Sequence, residues 1–197
     1  MNNGDVSQSR RRFLIGATSV VGGVGVVGAA VPFVASWNPS AKAKAAGAPV
    51  SVNISKIEPG QQITVEWRGK PVWVVRRTET MLENIEKLND RVKDPMSEEA
   101  DQPEYIDGIY RAIKDEYLVT VGICTHLGCS PTFRPEVAPA DLGENWLGGF
   151  YCACHGSRYD LSGRVYANQP APANLVIPPY RYEGDDTLTV GLDPEAV

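Results

Sequence analysis

Two short stretches hold most of the chemistry available to this 197-residue chain. Residues 124–129 read Cys-Thr-His-Leu-Gly-Cys, and residues 152–160 read Cys-Ala-Cys-His-Gly-Ser-Arg-Tyr-Asp. Between them they contain all four cysteines and both histidines of the sequence. Thiols and imidazoles gathered this closely read first as metal donors, because a disulfide framework spreads its cysteines along the chain. Three arrangements compete for them. A tetrahedral zinc site takes two Cys and two His and leaves two Cys over. Two disulfides leave both imidazoles idle. An iron–sulfur centre of mixed ligation takes one Cys and one His from each stretch and leaves one Cys per stretch to bond its counterpart, which uses all six.

The elements that must position these stretches read as strands. Ile63-Thr64-Val65-Glu66-Trp67 alternates, Arg68-Gly69-Lys70 turns, and Pro71-Val72-Trp73-Val74-Val75-Arg76 is β-branched and aromatic, a hairpin pattern. Further strands are expected over 116–123, 149–152, 163–166 and 187–191. Residues 78–94 change period: Met81, Leu82, Ile85, Leu88 and Val92 recur at three and four, which predicts an amphipathic helix. Acidic residues on its other face and in the loop 94–105 read as a solvated surface. Fifteen prolines and 19 glycines favour short strands and many turns. The expected fold is therefore mainly β, an antiparallel head domain over 50–197 with a helical insert, and with metal-binding loops at 124–130 and 152–159. A net charge of -5 argues against a nucleic-acid partner.

Ahead of the head lies a targeting segment. Ser9-Arg10-Arg11-Arg12-Phe13-Leu14 matches the twin-arginine export pattern, with Ile15 where a lysine is often found. Residues 13–37 contain no charge and, as a helix, rise roughly 37 Å, enough to cross a bilayer. The expectation is a single transmembrane signal-anchor, with cytoplasmic residues 1–12 before it and the head in a periplasm. Ala-x-Ala sites after the span keep a cleaved signal open as the alternative. Gly23-Val24-Gly25-Val26-Val27-Gly28 fits a dinucleotide fingerprint literally, but lacks the strand, amphipathic helix and acidic residue that such a site needs. Residues 38–49, Ala-rich and bracketed by prolines, read as a tether whose stiffness is open: Ala and Lys favour helix, Gly47 and the prolines oppose it.

Together these features resemble the Rieske [2Fe–2S] subunits of bacterial ubiquinol–cytochrome c reductases, the cytochrome bc1 complexes. The two boxes, the anchor, the tether, the strand-rich head and the late Gln169-Pro170-Ala171-Pro172 segment recur in the same order over essentially the whole chain. The resemblance implies one [2Fe–2S] cluster, with Cys124 and Cys152 on one iron and His126 and His155 on the other. It implies a Cys129–Cys154 disulfide, hydroxyls of Ser157 and Tyr159 directed at the cluster, and Leu127 and Pro170 helping to cover it. It makes His155 the quinol-facing ligand. The implied partners are ubiquinol, cytochrome b and cytochrome c1 in a dimeric complex of the bacterial inner membrane, with electron delivery by movement of the head. The second box departs from the family, with Ala153 where proline is usual; this touches loop rigidity and no ligand.

The chemistry suits the ligands. Two thiolates and two neutral imidazoles leave an oxidised cluster formally neutral, so an electron is accepted at roughly -150 to +300 mV, well above four-thiolate clusters. Two redox alternatives remain. A ferredoxin- or oxygenase-type Rieske protein lacks the two extra cysteines and the anchor. The small subunit of a periplasmic oxidase shares the export signal, but not the acidic insert or long anchor.

Overall fold

The computed structural model describes residues 7–194. The chain divides into two units, residues 1–45 and 46–197, and each is described by itself.

The first unit is dominated by helix α1, Gln8–Ala35, which contains Pro32 and buries none of its residues. It is long and apolar enough to cross a membrane, with a mean hydropathy of 2.0 over its best window. It begins five residues before the uncharged span expected from sequence, so the three arginines form its first turns. Pro32 has no N–H to offer the Gly28 carbonyl, so the helix goes without one backbone bond near its C-terminal end. The Thr18 hydroxyl donates to Leu14 O at 2.7 Å, so this polar group is satisfied inside its own helix. Gly23 to Gly28 are helical, with no strand before them, which disposes of the dinucleotide fingerprint. A short helix α2, Ala41–Ala46, forms within the Ala-rich segment 38–49.

The second unit holds three antiparallel sheets of three strands. The first combines β1 (Val50–Asn53), β9 (Thr187–Val190) and β8 (Tyr180–Tyr182). The second is β2 (Gln62–Trp67), β3 (Lys70–Arg76) and β4 (Tyr117–Val121). The third is β5 (Thr132–Arg134), β6 (Gly149–Cys152) and β7 (Ser157–Tyr159). The β2–β3 hairpin forms as expected, but its turn is only Arg68 and Gly69: Trp67 pairs with Lys70, which belongs to β3. Strand β4 is buried along its whole length, which explains its unbroken run of Tyr117, Leu118, Val119, Thr120 and Val121. Its one hydroxyl, Thr120, donates to Val176 O at 2.9 Å. Trp73 of β3 stacks on Phe150 of β6 with ring centroids 5.0 Å apart, joining the second sheet to the third.

Two expectations from sequence need correction. The helix expected over 78–94 is shorter: α3 spans Glu79–Glu86, capped by the Thr78 side chain, and a 3-10 turn follows at Asn89–Arg91. Ile85 and Leu88 are buried as the period predicted, but Val92 is buried by a different route, in an extended conformation bridged to Tyr166. Tertiary pairing here overrides the helical period. Residues 163–166 likewise form no strand. They make single bridges only, Val165 to Tyr159 and Tyr166 to Val92, because Val165 N–H bonds to the Asn174 side chain at 2.8 Å instead of to a ladder.

Candidate metal centre

The third sheet carries the site. The first loop runs from the end of β4 to β5, and the second is the tight connection between β6 and β7. The two loops repeat one backbone device. Gly128 N–H donates to Cys124 O at 3.1 Å, and Gly156 N–H donates to Cys152 O at 2.9 Å. Both glycines lie in left-handed backbone, φ 82° and 80°, which a side chain resists. Each loop thereby folds back on its first cysteine and presents the histidine between.

Cys129 and Cys154 are disulfide-bonded across the loops. Cys124 and Cys152 are free thiols, each buried. The Cys152 sulfur lies within 4.8 Å of both sulfurs of the bridge. Those two bridge sulfurs have no thiolate to offer, which leaves Cys124 and Cys152 as the thiols free to bind a metal. Burial raises the Cys152 thiol above its ordinary value, and the neighbouring Cys124 acts in the same direction. Buried thiols of this kind become thiolates only when a cation is supplied. The rings of His126 and His155 stand 4.7 Å apart, edge to face. His126 Nδ1 is buried and has no hydrogen-bond partner. A buried ring nitrogen left without a partner is what a metal ligand looks like with its metal removed. The donor set, two buried thiols and two facing imidazoles, fits a mixed-ligand [2Fe–2S] group.

The surrounding hydroxyls are in place. Tyr159, the last residue of β7, has its oxygen 3.2 Å from Cys124 Sγ and accepts from Thr125 N–H at 3.1 Å. Burial, then the adjacent Cys124, push its phenol well above the ordinary value, so it remains a protonated donor. Ser157 is fully buried, and its oxygen accepts from Ala171 N–H at 3.1 Å. Leu127 is 70% exposed and Pro170 is exposed, while Ala171 beside Pro170 is pinned to Ser157. Residues between the donors that sequence reading passed over also take part. Thr125, the unassigned middle residue of Cys-x-His, donates to Ala173 O at 2.6 Å and lies 3.1 Å from the Tyr159 hydroxyl. Lys93 of the insert donates to Pro172 O at 2.6 Å. The proline segment is thus held from three sides. The sequence marked this segment through the family resemblance, but not the contacts of Thr125 and Lys93 that hold it.

The chain is similar to known proteins over most of its length. The Rieske [2Fe-2S] domain matches residues 49–181, and the Fe–S subunit TAT signal of ubiquinol–cytochrome c reductase matches residues 1–40. The ubiquinol–cytochrome c reductase iron–sulfur subunit of Allochromatium vinosum is 58% identical over 188 residues, covering 95% of this chain and 91% of its own length. That of Bradyrhizobium diazoefficiens is 40% identical, covering 93% and 94%. A solved chain of a hyperthermophilic respiratory Complex III is 29% identical, covers 89% of this chain and 98% of its own, and has a TM-score of 0.48. With the donor set assembled in two matching loops and relatives of this similarity along almost its full length, the chain belongs to the Rieske [2Fe–2S] family, among the iron–sulfur subunits of ubiquinol–cytochrome c reductase.

Proposed function

We propose that this chain binds one [2Fe–2S] cluster through Cys124, Cys152, His126 and His155, takes an electron from ubiquinol, and passes it to cytochrome c1. The observation that carries the proposal is the pairing of two buried free thiols with two facing imidazoles in disulfide-clamped loops. When bound, the cluster supplies one-electron chemistry at high potential, because two of its ligands are neutral.

The chain's own residues do the rest. His155 is the exposed imidazole of the pair, and its outward nitrogen accepts a hydrogen bond, then the proton, from a quinol hydroxyl. His126 is the more enclosed ligand. Leu127, exposed beside it, offers an apolar contact for a quinone ring. Tyr159 and Ser157 direct hydroxyl protons at the sulfur atoms of the site and favour its more negative state. The Cys129–Cys154 bridge keeps the loops together and water out. Helix α1 anchors the chain in a bacterial inner membrane with its N-terminus cytoplasmic and the head periplasmic. Residues 38–49 let the head move between cytochrome b and cytochrome c1 in a dimeric complex. Twin-arginine export suits such a protein, since that route carries folded domains already holding their cofactor.

The test is a redox titration of membranes or purified protein followed by low-temperature EPR. A rhombic signal with average g below 2, already present with ascorbate, is the expected result. A signal seen only with dithionite, or none from iron-loaded protein, overturns the assignment.

A further inference from the structure

Among the described residues, four charged side chains are buried: Arg77, Arg111, Arg164 and Asp160, each 2% exposed or less. They sit together around the loop 160–164, which directly follows Tyr159. Arg111 comes from the end of the acidic insert. It donates to Ser162 O at 3.0 Å, Gly163 O at 3.3 Å, Leu175 O at 2.7 Å and the Gln102 side chain at 2.9 Å. Arg77, at the start of the insert, donates to Ser162 Oγ at 3.0 Å and to the carbonyls of Asp115, Tyr110 and Leu161. Arg164 reaches the other way, to Ile85 O at 2.8 Å and Asn89 Oδ1 at 2.6 Å, and pairs with Asp160 at 2.7 Å. Asp160 is the one carboxylate among the four, and its charge acts on both Arg77 and Arg111.

Three guanidiniums against one carboxylate leave two positive charges in a dry site. The remaining partners are neutral carbonyl and side-chain oxygens. The cost of burying this charge is visible: desolvation lowers both Arg77 and Arg111 to about 10. Asp94 and Asp115 are the nearest further acids, but Asp115 is exposed and Asp94 half-exposed, so water screens them. If the arginines only pinned a loop, apolar packing would do so at lower cost. Their position suggests a second consequence. Asp160 directly follows Tyr159, whose hydroxyl is 3.2 Å from Cys124 Sγ, so the loop that carries the buried charge continues straight from a residue that touches the metal centre. Buried charges are screened by salt and water less than exposed ones, so an uncompensated pair can act on a neighbouring redox site.

We propose that Arg111 and Arg77 form a buried cationic field that raises the reduction potential of the iron–sulfur site, so that the insert tunes the reaction in addition to bracing the fold. The inference rests on the cluster assignment above. It is tested in full-length protein by EPR-monitored redox titration of R111M, R111K, R77M and D160N, with g-values and melting temperature recorded for each. The field predicts a lower midpoint in R111M and R77M, a midpoint near the parent's in R111K, and a higher midpoint in D160N. Opposite shifts from one buried cluster distinguish charge from damage. If R111M and R77M do not accumulate folded, D160N still decides, because removing the carboxylate must move the midpoint up. An unmoved or lowered midpoint in D160N overturns the proposal, as does an R111K drop equal to that of R111M at unchanged g-values. No Rieske-type signal from the parent protein overturns the cluster assignment itself.

Discussion

At Tyr159, hydrogen-bond bookkeeping decides a role. The phenol oxygen accepts from Thr125 N–H. The Thr125 hydroxyl donates its own proton to Ala173 O. The phenol proton is therefore shared between two acceptors, the Cys124 sulfur at 3.2 Å and the Thr125 hydroxyl oxygen at 3.1 Å. Replacing Tyr159 with Phe removes that donor and leaves every proposed ligand in place. If the bond is stronger to the reduced site by about 1 kcal/mol, the midpoint falls by about 40 mV for one electron. A redox titration reads it, and an unchanged midpoint sinks the assignment. A second residue-scale prediction concerns Gly149. A Cβ there would stand 1.9 Å from Tyr159 O and 2.9 Å from Asp160 Cα. G149A must push β6 from β7 and is expected to cost roughly 3 kcal/mol or more, read as a lower melting temperature and a low cluster content in purified protein.

Among the elements, the two loops depend on their clamp. The Cys129–Cys154 bridge closes a sequence separation of 25 residues. Loop-closure entropy for that length corresponds to about 3.5 kcal/mol. A Cys129→Ser, Cys154→Ser double variant retains all four proposed ligands. It should melt at lower temperature and lose iron faster on incubation, as followed by visible absorption. The segment between the loops carries a separate electrostatic tie. Arg134 of β5 pairs with Glu136 and Asp141 and holds both carboxyls below their ordinary values. Because the folded values are depressed, this stabilisation is present above the ordinary carboxylate range and is lost as pH falls through the folded values. The gap in melting temperature between the parent and Arg134→Gln should therefore narrow as pH drops below about 4. These are exposed groups, so the effect is small. A gap that widened in acid would contradict the pairing.

For the whole molecule, the proposed function asks an anchored head to serve two partners. Helix α2 within the tether has only six residues. A helix that short is marginal in water on its own, so the segment is able to bend. Deleting part of residues 38–49, or replacing them with prolines, should slow quinol-dependent cytochrome c reduction several-fold while leaving the EPR signal and midpoint unchanged. Normal turnover in such a variant would argue that the head does not move on this tether.

The sequence alone confined every thiol and imidazole to six residues in two short stretches, which marks them as candidate metal donors. It determined the apolar span, since an uncharged run of that length has few other uses. It determined the β2–β3 hairpin, whose alternation and turn residues are local signals. Tertiary structure decided the rest. It brought Cys129 and Cys154 together, as the family resemblance implied, and left His126 Nδ1 buried without a partner. It ended α3 at Glu86 and buried Val92 through a bridge to Tyr166 that no helical period encodes. It also gathered Arg77, Arg111, Arg164 and Asp160, which lie up to 87 positions apart in sequence. Arginines in a charged insert read as surface until a fold removes their water, and no local pattern reports that removal.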